Sequence, residues 1–267
     1  MKDKTKTEEK KSIYFARTYR KLRIDYLRGI LYMLFLVLPC LVFLTVNLKN
    51  ITMQLSGFAA RVLDRIYPGL PVSIAESDFS ILSSTAYIQI PDVYPSMPFI
   101  FMNLIVSLAV LVLLSSGSRR GKPMAIFFML VMFIHIINCI YFLFAEYHFP
   151  YGIGQFSDLY IKQQIGIWLT FMVLAGIVTG FFGRLGYFYK VLAFIGIMLY
   201  SVLFGAVRYV LFLCILYRFS LLYMALMFFV FGPLFDFLYF VSIYSFLANK
   251  LVKLYDSEQG RKEWKWA

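Results

Sequence analysis

Residues 190–217 and 221–248 form two almost unbroken apolar runs of nearly thirty residues each. An apolar run of that length belongs in a membrane. At 1.5 Å per residue, helices this long exceed a ~30 Å hydrocarbon core, so they tilt or protrude. Each run contains one buried-looking charge, Arg208 in the first and Asp236 in the second. A charge at bilayer depth costs at least about 2.5 kcal/mol, so a chain keeps one for a partner or a task.

Composition agrees with a membrane solvent. The chain is 61% hydrophobic and 15% charged, against about 25% charged in soluble domains. Its net charge of +12 is concentrated at helix ends and tails, which reads as an orientation signal and not as a nucleic-acid surface. Cys40, Cys139 and Cys214 fall within expected spans and show neither CxxC nor metal-ligand spacing, so they are expected to be small core residues. No metal and no cofactor are expected. The first apolar run is long and lacks a small-x-small cleavage site, so it is expected to be a permanent anchor.

Residues 1–28 form a basic tail, with Lys2, Lys4, Lys6, Lys10 and Lys11 followed by Arg17, Arg20, Lys21, Arg23 and Arg28. From Ser12, aromatic and basic residues interleave, as in a juxtamembrane helix on an anionic leaflet or a solvated extension of the first span. A six-span membrane domain is expected over 29–254, followed by a tail at 255–267. Its spans are Gly29–Val46, Phe99–Leu114, Met124–Phe144, Ile161–Phe182 and the two long runs. Both termini then lie in the cytoplasm, as do the basic turns at Arg119-Arg120-Gly121-Lys122 and at Arg184 and Lys190. Dividing 190–252 into three spans would instead bury Arg218 and put a basic tail outside. The fold class is thus all-α and polytopic, in a plasma (inner) membrane.

The hydrophilic segment 50–97 falls outside the membrane. Leu55, Phe58, Val62, Leu63 and Ile66 recur at helical spacing beside Arg61, Asp64 and Arg65, predicting an amphipathic helix over 53–67 that ends at Pro68-Gly69. Val72-Ser73-Ile74 and Tyr87-Ile88-Gln89-Ile90 alternate and predict two short strands. This segment is the expected docking surface for a membrane or extracytoplasmic protein partner. Lipids are the other expected partner.

Chemistry is expected around Arg208 and Asp236. Counted along their helices, Arg208 lies about 27 Å from Lys190 and Asp236 about 21 Å from Lys250, so the two can meet. They make either a structural ion pair or one side of a polar pocket. Gly232-Pro233 precedes Asp236 by one turn and should kink the helix and free the carbonyl of Phe229. His135 and Asn138, three residues apart, share a helix face. A neutral His bonded across helices or a relay suits that position. Lys162-Gln163-Gln164 open the fourth span and suit a pocket rim. Arg208, Asp236 and His135 are the catalytic candidates. Arg208, Asp236, Asn138, Gln163 and Gln164 are the binding candidates. No triad, P-loop or nucleotide fingerprint is present.

Gly205-Ala206-Val207-Arg208, Ile161-Lys162-Gln163-Gln164-Ile165-Gly166 and Phe235-Asp236-Phe237 occupy successive helices in an order that resembles the exosortase/archaeosortase family of membrane transpeptidases over residues 155–250. The resemblance implies an active site made of a Cys on one span, an Arg on the next and a His on the one after. Here Arg208 matches, no Cys stands near 160–166, and Asp236 replaces the His. It therefore implies a relative without the usual thiol nucleophile.

Three functional expectations follow. The first is an accessory or scaffold component of a cell-envelope pathway, such as surface-protein processing or polysaccharide export. The second is a membrane-embedded transferase or hydrolase using Asp236 and Arg208. The third is a small-molecule or proton-coupled transporter using His135 with the pair.

Overall fold

The structure, a computed structural model, describes residues 20–21, 26–79, 83–116, 122–181, 186–255 and 265–266. Most of the basic tail, the turn residues Arg119 to Gly121, Arg184, and Arg261 with Lys262 lie outside the described residues. So does most of the juxtamembrane segment from Ser12. Within the tails, Arg20–Lys21 pairs antiparallel with Lys265–Trp266.

Among the described residues, six helices are long and apolar enough to cross a membrane. The first, α1, spans Tyr26–Val46 and contains a π-helical turn at Met33–Val37. Pro39 follows that turn and has no N–H to give the helix, and the wider turn absorbs the missing bond. After Asn47, α2 spans Leu48–Ile66, five residues longer at its start than the apolar spacing predicts. Leu48, Thr52, Leu55, Ser56, Ala59 and Leu63 make its buried face. It ends at Tyr67 and Pro68, where Gly69 takes φ +87°, a conformation that favours glycine.

Strands β1, Ser73–Phe79, and β2, Ser83–Gln89, form an antiparallel hairpin with Ser73 opposite Gln89 and Phe79 opposite Ser83. Both strands run longer than the alternating stretches of sequence. Next come α3 (Met97–Ser115), α4 (Pro123–Ala145), α5 (Ile153–Phe181) and α6 (Tyr187–Phe219). A π-helical turn at Leu226–Phe231 leads into α7, Pro233–Tyr255.

The predicted start of the fourth span, Ile161, is corrected to Ile153. Residues up to 161 read as an outer loop in sequence, but polar side chains there have a use in the helix. The N–H of Ile153 donates to Asp92 Oδ1 at 2.5 Å and that of Gly152 to Gln155 Oε1 at 2.7 Å, satisfying donors that a helix start leaves bare. One turn on, Lys162 pairs with Asp158 at 2.8 Å.

The described chain divides into two compact units. In the first, which includes residues 26–40 and 186–198 and also 171–181, α1 and α5 meet through small residues. A Cβ on Gly176 would lie 2.5 Å from Val37, and one on Gly180 2.9 Å from the Tyr32 ring. This Gly-x-x-x-Gly spacing lets two helices approach closely where apolar contact with lipid gives no other reason to pack. The Tyr32 hydroxyl, 3.0 Å from Thr179 Oγ1, donates to the Lys190 carbonyl at 3.1 Å, and Lys190 Nζ donates to the Gly180 carbonyl at 3.0 Å.

The second unit, residues 41–170 and 199–238, holds the hairpin. The outward edge of β2 would present bare N–H groups, a liability in any sheet. Here side chains occupy it. Thr52 Oγ1 accepts from Ala86 N at 3.1 Å, and Ser56 Oγ donates to Ala86 O at 2.9 Å. The Ile88 N–H is shared by Ser157 Oγ at 3.1 Å and the Tyr209 hydroxyl at 3.0 Å. Ser77 bonds Asp158, and Lys49 pairs with Glu76 at 2.7 Å. The hairpin is thus tied to α2, α5 and α6.

Candidate functional site

Five residues from α5, α6, and the approach to and first turn of α7 converge. Arg208 lies on α6 and Asp236 in the first turn of α7, with exposures of 3% and 1%. Arg208 Nη2 donates to Asp236 Oδ2 at 2.7 Å and to Gln164 Oε1 at 2.7 Å. Its Nε donates to the Tyr160 hydroxyl at 2.9 Å and its Nη1 to the Gly232 carbonyl at 2.6 Å. Four of the five guanidinium hydrogens are therefore placed. The Tyr160 hydroxyl passes its own hydrogen to the Gly205 carbonyl at 3.0 Å.

Aromatic rings close the remaining sides. The guanidinium carbon stands 5.4 Å from the Tyr160 ring centre, 5.8 Å from Phe204 and 5.9 Å from Phe212, distances at which a cation is attracted to the ring face. Tyr160 stacks on Tyr209 at 5.2 Å with 10° between planes. Because Tyr209 holds the Ile88 N–H, one continuous set of contacts runs from β2 through Tyr209 and Tyr160 to Arg208.

Two glycines make room for the amides of α5. A Cβ on Gly205 would lie 2.9 Å from Gln164 Nε2, and one on Gly232 3.3 Å from Gln163 Oε1. Among the described residues, Gln163 Oε1, Gln164 Nε2 and Trp168 Nε1 are buried without a hydrogen-bond partner. Ahead of Pro233 the helix takes a π-helical turn over Leu226–Phe231, and the carbonyl that Arg208 uses is that of Gly232, immediately before the proline.

His135 and Asn138 belong to a different cluster. His135 Nε2 lies 3.4 Å from Asn103 Oδ1, and its ring stacks on Tyr223 at 5.0 Å. The Tyr223 hydroxyl donates to the same Asn103 oxygen at 2.5 Å, and Asn138 Nδ2 donates to the Leu222 carbonyl at 2.6 Å. These contacts brace α3 and α4 against the 220–223 turn. There Ser220 adopts φ 99°, a strained conformation for a residue with a Cβ. Asn103 was legible as a lone amide in an apolar span but carries no motif. Tyr160 was hidden in what reads as a loop.

Among the described residues, no group of three His, Cys, Asp or Glu is placed to hold a metal. The arrangement around Arg208 has an acid and a cation but no thiol or free hydroxyl within its hydrogen-bond network. As built, one guanidinium ties α5, α6 and the start of α7 together.

The fold and site define a multi-pass α-helical membrane protein. No protein family, curated protein or solved structure matches the chain.

Proposed function

We propose that this protein is a non-enzymatic scaffold of a cell-envelope pathway, of the surface-protein processing or polysaccharide-export kind, in a plasma membrane. Both termini are cytoplasmic in this reading, and the 50–97 segment faces the opposite side as the partner-docking surface. The observation that carries it is the Arg208 to Asp236 contact, which is buried and nearly saturated with protein partners. The acid that would have to act accepts from Arg208 through its Oδ2. The hydroxyl ties along β2 support the docking role, because they make the segment a rigid surface and not a loose loop.

One observation favours a second, compatible reading. Arg208 and Asp236, two positions of the resemblance to exosortases and archaeosortases, meet Gln164, which lies in the 161–166 stretch that falls where the Cys motif would sit. This supports a relative of those enzymes in which an amide stands in place of the thiol and a carboxylate in place of the imidazole.

A deletion strain complemented with variants tests the proposal. The charge-free pair Arg208→Met with Asp236→Leu, once shown to insert at normal levels, is expected to restore the wild-type surface phenotype. Ile74→Asp with Glu76→Lys, on the exposed face of the hairpin, is expected to fail. If Asp236→Asn is folded and abundant but inactive while the hairpin variant works, the transferase or hydrolase reading replaces this one.

A further inference from the structure

A groove of about 430 Å³ opens beside the π-helical turn, a size within the range of about 300–1,000 Å³ typical of ligand sites. We propose that it binds one hydrocarbon chain, acyl or isoprenyl, of a membrane lipid. This inference is independent of the Arg208 reading.

The walls come from Phe156 at the start of α5 and from Met224 and Phe228 around the π-helical turn. Pro233 provides no N–H, so the helix before it widens into the π form, and the successive residues Phe228 and Phe229 both come to line the groove. At the loop end, Tyr141 and Tyr151 complete the lining. Tyrosine suits the boundary between headgroups and hydrocarbon, with its ring in one and its hydroxyl in the other.

The mouth decides what fills the groove. Ile137 is 52% exposed and Phe229 70%, and both belong to candidate membrane spans. Around such residues the solvent is hydrocarbon, so the groove is continuous with the lipid-facing surface of α4 and of the π-helical turn. Apart from the two tyrosines, the lining's polar side chain is Asn138, whose amide nitrogen is committed to the Leu222 carbonyl. A single flexible chain entering sideways from the bilayer fits the volume, the chemistry of the lining and the direction of opening.

The test uses the full chain in nanodiscs of phosphatidylethanolamine and phosphatidylglycerol containing a phosphatidylglycerol with a diazirine on one acyl chain. Adducts are mapped by peptide mass spectrometry after illumination. Labelling at Leu159 and Phe229 should exceed that at Val106, an exposed position on α3, by about tenfold, corresponding to about 1.4 kcal/mol of preference. Ala225→Trp fills the groove and should reduce labelling to the Val106 level without changing the melting temperature. Ile137→Trp blocks the mouth from an exposed position and should do the same if Ala225→Trp does not fold. Equal labelling at Leu159, Phe229 and Val106 overturns the proposal. So does labelling that a folded Trp variant leaves unchanged, or a second protein or second copy cross-linked at the groove.

Discussion

One nitrogen of Arg208 lies 2.7 Å from both Asp236 Oδ2 and Gln164 Oε1, so a single guanidinium joins three helices. A buried ion pair is seldom more stabilising than a well-packed apolar pair, but removing one partner leaves a bare charge behind. Arg208→Ala should therefore lower stability by about 3–5 kcal/mol, and the double variant Arg208→Met with Asp236→Leu should regain most of that loss. Thermal unfolding in detergent checks it. A double variant as unstable as the single one would show that the charges matter for more than each other.

The glycines of α5 make opposite predictions. Gly176→Leu should disrupt the contact with Val37 and lower the melting temperature strongly, because a Cβ there already lies 2.5 Å from that side chain. Gly166 has nothing within 4 Å of an added Cβ, so Gly166→Ala should raise stability by about 0.5–1 kcal/mol through backbone entropy alone. Melting curves of the two variants separate close packing from general helix propensity.

The hydroxyls beside β2 act as substitutes for a third strand. Ser56→Ala removes the donor to the Ala86 carbonyl and should cost about 0.5–1.5 kcal/mol. Hydrogen exchange resolved to single amides should show faster exchange at Ala86 and Ile88 in a Thr52→Val, Ser157→Ala double variant. Exchange within α3 should be unaffected.

Burial pushes the Tyr223 phenol above its ordinary value, with the Cys139 thiol nearby adding to the rise and the bond to Asn103 opposing it. A raised folded-state value means that this group's contribution is complete below the unfolded value near 10 and fades as pH rises toward the folded one. Stability should thus decline above about pH 10 more steeply in wild type than in Tyr223→Phe. Melting temperature measured against pH in both proteins gives the comparison.

Much of this architecture was legible because hydrophobicity over twenty residues is a local property. The spans, the amphipathic stripe of α2 and its stop at Pro68-Gly69 all follow from neighbours in sequence. The start of α5 was not legible, because Gln155 and Asp158 look solvated until Gly152 and Ser77 are in place beside them. The hairpin was half legible for a similar reason. Its edge is completed by Thr52, Ser56, Ser157 and Tyr209, which no local pattern associates with Ala86 or Ile88.

The sequence alone determined that the chain crosses a membrane, that Arg208 and Asp236 needed a partner, and that counting along two helices allowed them to meet. It did so because burying a charge in hydrocarbon is costly wherever the partner comes from. Only the tertiary structure decided that Gln164, Tyr160 and the Gly232 carbonyl complete that contact, that His135 and Asn138 belong to a separate brace at Asn103, and that a groove opens beside Phe228 and Phe229. Those outcomes depend on helix rotation and on close approach at Gly205 and Gly232, quantities that arise between segments and are written in none of them singly.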